Sequence, residues 1–282
     1  MTHTIEETMS DTSRGRLVLA SGFRRALRAE LRKSLRRGGM RGWWIVSVAL
    51  AALVSLTTML STHAPPDAGG NSSLAATDLA GIGPSVSLLL LSIGLAAYVA
   101  REVADGTVVS AKLAFPGRNG LLAARVASSA VLVAAASIAT AVPFAIAGWF
   151  DPAVERSTPA LLLLAVALSV VVPSMVAALV HCGAIIVRLG AYIMTVGLTV
   201  LVILPVLGAV GNIFLPAPWG RVSGLVGESM AGTLAVKAMA LPNAEMGSWG
   251  GLVVAFLGLL AWLAACGLWA DRVFRCPGYG EV

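Results

Sequence analysis

The side chains of this sequence whose types and spacing could do chemistry gather in one stretch. It runs Arg101-Glu102-Val103-Ala104-Asp105-Gly106-Thr107 and continues through Lys112, Leu113 and Pro116 to Arg118. Charges flanking a short, partly apolar segment suit recognition of another surface rather than bond making. Elsewhere the catalytic inventory is nearly empty. There is no GxxxxGK[ST] phosphate loop, no HExxH pair and no plausible Ser/His/Asp set. His181 is the single imidazole in a long apolar run and reads as a packing or interface residue rather than a proton relay. The cysteines, Cys182, Cys266 and Cys276, are odd in number and belong to no CxxC or Cys/His cluster. They read as small apolar filler facing a reducing compartment. No catalytic, cofactor-binding or metal site is expected, and the chain is not expected to be an enzyme on its own.

The elements that must position the 101–118 stretch follow from composition. Of 282 residues, 57% are hydrophobic and 12% charged, against about 25% charged in soluble domains. Six stretches carry no Asp, Glu, Lys or Arg: Trp43–Leu60, Gly81–Ala100, Val126–Phe150, Pro159–Val187, Leu189–Leu215 and Ser248–Ala270. Each is near or above the roughly 20 residues that cross a bilayer as a helix. The expectation is an all-α membrane protein with six transmembrane helices. Seventeen of the 20 basic residues then fall on one side together with both termini, leaving Arg156, Arg221 and Lys237 on the other. By the positive-inside rule the basic side is cytoplasmic, and the net charge of +6 is a topology signal rather than a mark of nucleic-acid binding. Forty-two mostly polar residues precede the first apolar run, so that run reads as a retained anchor, not a cleaved signal.

Three domains are expected: 1–42, a cytoplasmic tail with an amphipathic helix; 43–270, the six-span region; and 271–282, a second cytoplasmic tail. In the first, Ala20, Phe23, Leu27, Leu31 and Leu35 recur at helical steps while Arg24, Arg25, Arg28, Arg32 and Lys33 fill the other face. Such a helix suits the inner-leaflet interface, with arginine stems reaching to headgroups. Gly38-Gly39 should break it before Trp43-Trp44, placed as an interfacial anchor. Pro173 and Pro205 fall inside spans 4 and 5, where they either line a pathway or merely kink packing helices. Residues 216–247 are too apolar for a free loop and too charged for a seventh span, which predicts an external re-entrant segment before the last span.

Within the inner loop 101–120, Asp105 or Thr107 can cap a short helix that stops before Pro116. Physics alone leaves two readings open, a docking element for a soluble partner and a merely structured loop.

The pattern Glu102-x-x-x-Gly106-Thr107-x-x-x-x-x-Leu113-x-x-Pro116-x-Arg118 resembles the inner loop of ABC-2-type permeases, the membrane subunits of ATP-binding-cassette exporters. The basic "elbow" helix (Phe23, Leu27, Leu31 with Arg24, Arg28, Arg32), the six spans, the tight turn at Arg188 and the external segment are similar too. Gly117 departs from the polar or basic residue that many relatives carry there. The resemblance implies that Glu102, Gly106, Thr107, Leu113, Pro116 and Arg118 belong to a cytoplasmic coupling helix and its approach. Glu102 would face a partner ATPase or pair with a basic residue of the elbow helix. It also implies a cytoplasmic ATPase dimer that binds ATP and magnesium, a second permease copy or homologue, and a bacterial plasma membrane. The uncharged spans suit hydrophobic or amphipathic cargo such as a drug, antibiotic, lipid or peptide. The alternative is a membrane scaffold or sensory subunit that binds a cytoplasmic partner without transporting anything.

Overall fold

The computed structural model describes residues 22–36, 38–63, 75–107, 111, 118–187, 229, 234–235 and 249–276. Among these the chain is helical: α1 over 22–36, α2 Gly38–Ser61, α3 Ala76–Ala104, α4 Arg118–Phe150, α5 Pro159–Val187 and α6 Trp249–Arg275. Five of them, α2 to α6, are long and apolar enough to cross a membrane. At about 1.5 Å per residue, even α2 exceeds a hydrocarbon core of about 30 Å. The expected fifth span Leu189–Leu215, the turn at Arg188, Pro205 and most of the external segment 216–247 lie outside the described residues.

α3 is the hub, packing against α2, α4 and α5, while α6 lies chiefly along α5. α2 and α6 leave long apolar faces uncovered, including Ile45, Val46, Leu50 and Leu53 on α2 and Val253, Val254 and Leu257 on α6. Such faces are tolerable where the solvent is lipid. The bundle interior is built from small and branched residues, with Leu91, Leu95, Val133, Val172, Val176 and Ile185 fully enclosed.

Two ends can be told apart. At one, α2 finishes, α3 begins, and the 151–158 connection runs between α4 and α5. Ala76 N donates to Glu155 O (3.2 Å), and His63 Nε2 lies 3.3 Å from Asp151 Oδ1. Thr158 Oγ1 accepts from Leu161 N (3.4 Å), with Pro159 pre-set for the first helical turn of α5. At the other end α1 meets the finish of α3 and the first turns of α4.

Several boundaries differ from the sequence expectation, for one reason: charged residues continue the helices. α3 runs through Arg101 and Glu102 to Ala104, and α4 begins at Arg118, so the connection between them shrinks from 101–120 to 105–117. The expected break at Gly38-Gly39 falls where α1 ends at 36 and α2 opens at Gly38. Trp43 and Trp44 are engaged by protein. Trp43 packs over Gly94, and Trp44 Nε1 donates to Leu132 O of α4 (3.1 Å). Pro84, Pro143 and Pro173 all sit inside continuous helices.

Candidate functional site

The site grows out of α1. Its buried row is Ala26, Glu30 and Ser34, one residue per turn, with Phe23, Leu27 and Leu31 half-buried on its flank and Arg24, Arg28 and Arg32 exposed. The sequence reading placed the apolar stripe in the inner-leaflet interface and Lys33 with the arginines of the other face. The structure instead turns a small and charged face inward. The reason is electrostatic: two helices opposite α1 present buried charges of both signs, and Lys33 and Glu30 of α1 pair with them.

Those charges are Glu102, near the end of α3, and Arg125, two turns into α4. Glu102 is 1% exposed and Arg125 3%. Lys33 Nζ pairs closely with Glu102 Oε1. Arg125 Nη2 lies 3.5 Å from Glu102 Oε2, and Arg125 Nε donates to Glu30 Oε1 at 3.3 Å. Lys33 Nζ is also 3.9 Å from Glu30 Oε2. Two carboxylates and two cations thus alternate around a ring that ties α1, α3 and α4 together with no formal excess charge. Tyr98, one turn before Glu102, faces the same ring beside Ser34.

Hydroxyls extend the cluster into the bundle. Ser128 Oγ and Ser129 Oγ donate to Arg125 O (2.8 and 3.3 Å), and Ser129 Oγ forms a 2.7 Å hydrogen-bonded pair with His181 Nδ1 of α5. His181 is therefore enclosed by protein rather than hydrated at a membrane surface. Glu102 sits in the last turn of the apolar helix Ala76–Val103, paired as a buried charge must be.

Three residues past Glu102 the helix stops. Asp105 N donates to Arg101 O (2.8 Å), Gly106 N to Val103 O (3.1 Å), and Gly106 takes φ +63°. This left-handed glycine is a helix C-terminal cap, an arrangement that side chains with a Cβ disfavour. Thr107 Oγ1 donates back to Glu102 O (3.1 Å), and Thr107 and Ala111 are themselves helical, in the connection where the sequence suggested a short helix. Arg118 opens α4. Leu113 and Pro116 lie outside the described residues.

The sequence reading missed Glu30 and Arg125. Both had a signal: Glu30 is the one acidic residue between 17 and 41, and Arg125 is the last charge before a 25-residue uncharged run. Among the described residues no group of His, Cys, Asp or Glu is arranged to hold a metal, and the cysteines are free.

Fold and cluster together define an all-helical, multi-pass membrane protein in which a short helix before the first span is stapled to the bundle by buried charge. Comparison of the sequence with protein-family models and with curated proteins returned no match.

Proposed function

We propose that this chain is the permease subunit of an ATP-binding-cassette exporter, driven by a separate ATPase that docks on the connection between α3 and α4. The observation that supports this most directly is the joint at Glu102. A connection of about a dozen residues leaves α3 through a sharp left-handed turn, and four residues earlier α3 is cross-tied to α1 and α4. A push on that connection reaches three helices at once through a joint with little slack. Such a device converts movement of a soluble neighbour into movement of membrane helices. Cargo for a pathway between such apolar spans is hydrophobic or amphipathic, and a complete translocation unit takes a second permease copy or a homologue.

The test is co-expression with candidate ATPases encoded beside the chain, followed by reconstitution and measurement of ATP hydrolysis. The wild-type chain should raise hydrolysis by a bound ATPase, and Gly106→Val should abolish that stimulation while leaving the helices folded by circular dichroism. Extracellular labelling of a cysteine placed at position 110 in intact cells, or the absence of any co-purifying polypeptide, sinks the docking reading.

A further inference from the structure

We propose that the outward face of α1 is a binding site for anionic lipid headgroups. The ring of buried charge fixes how α1 is rotated, and that rotation has a consequence. In an ideal helix, Arg24, Arg25, Arg28, Arg32 and Arg36 fall within an arc of about 120°, centred about 180° from the Ala26–Glu30–Ser34 row. All five are exposed. Among the described residues no carboxylate pairs with any of them, while the acidic residue that could have done so, Glu30, is turned inward to Arg125 and Lys33. Four of the five are spaced four apart, so each guanidinium sits one turn from the next and they repel one another. An anion lying along the row relieves that repulsion.

The position selects the source of the anion. α1 leads directly into α2, whose outward residues Ile45, Val46, Leu50 and Leu53 are all at least 41% exposed and mark the acyl region. Within the arginine arc Leu35 is itself 47% exposed. An apolar side chain among arginines suits a surface half in headgroups and half in hydrocarbon, where the arginine stems are buried and the guanidinium forks meet lipid phosphate. A soluble acidic protein would leave Leu35 with nothing to cover it.

This inference concerns lipid alone and stands apart from ATPase docking, because it is read on the isolated chain. The experiment reconstitutes the full chain in equimolar phosphatidylcholine and phosphatidylglycerol, re-extracts it in mild detergent and counts retained lipids by mass spectrometry. The wild type should retain phosphatidylglycerol in preference, and the preference should fall as salt rises. The quadruple variant Arg24→Gln/Arg28→Gln/Arg32→Gln/Arg36→Gln should lose on the order of tenfold or more of it. The matching quadruple lysine variant should keep most of it, because charge is retained. Should the glutamine variant fail to fold, Arg28→Glu alone, checked by circular dichroism, should still lower retention about fivefold. No lipid preference in the wild type overturns the proposal. So does equal retention by a folded charge-removing variant, or cross-linking from Arg28→Cys to a polypeptide instead of to lipid.

Discussion

The two ends of the bundle face the same problem, joining helices where water cannot help, and they answer it differently. Where α1, α3 and α4 meet, the join is a ring of four charges, two of them at most 3% exposed. Toward the opposite end the join between α2, α3 and α4 is steric: a Cβ on Gly83 would lie 2.9 Å from Ser55 Oγ and 2.9 Å from Thr140 Cβ. Small residues let helix backbones approach closely, which is the main cohesive device when lipid is as apolar as the interface. A packed contact is short-ranged and has one good arrangement. A charge ring is longer-ranged and ties several helices at one point. The difference teaches how each end is held: the charged joint by attraction among four groups, the glycine-packed end by close contact alone.

That contrast can be broken from its stronger side first. Arg125→Ala leaves Glu30 and Glu102 buried with only Lys33 to share, which should cost about 3–5 kcal/mol. The readout is the thermal unfolding midpoint in detergent. The double variant Glu102→Met/Arg125→Met retains the neutral Glu30–Lys33 pair and should recover most of that loss. If the double is no better than the single, the ring is not an electrostatic unit. Next in size, Gly83→Ala should destabilise by about 1–3 kcal/mol through overpacking. Unlike the arginine variant, it should be insensitive to a second change in charge. Ser129→Ala removes the partner of His181 and should cost about 1–3 kcal/mol in the same unfolding assay. Thr107→Val, which deletes one hydroxyl bond at the end of α3, should cost only about 0.5–1.5 kcal/mol, measured as faster hydrogen exchange at the last turn. Arg28→Gln on the exposed face should change unfolding by less than about 0.5 kcal/mol, so its effect on lipid retention is separable from folding.

Much of this fold is legible along the chain because the bilayer imposes a simple rule. A run of about 20 uncharged, apolar residues has to be a helix. Five of the six such runs coincide with described helices, and the helix before them is present over 22–36. Gly106 entered the sequence reading only through the resemblance, and its role as the left-handed cap of α3 came from the structure. The candidate site was less legible. Treating charge as the boundary of a span put Arg101, Glu102 and Arg125 into a loop, whereas all three are helical. Charge marks a boundary only when it is solvated. Glu102 and Arg125 neutralise each other and so remain in the apolar helix. The apolar periodicity of α1 likewise described an isolated helix and not one facing two buried charges.

Residue type and local order by themselves determined that this chain is a helical membrane protein and where most of its spans fall. Those outcomes depend on hydrophobicity and backbone sterics, which act within one turn or one span. Only the tertiary structure decided that Glu30, Lys33, Glu102 and Arg125 form one ring, that His181 pairs with Ser129, and which way the arginines of α1 face. Residues 95 positions apart, as Glu30 and Arg125 are, meet through helix packing alone. The strength of a charge–charge contact depends on distance and burial, neither of which is written in the order of the residues.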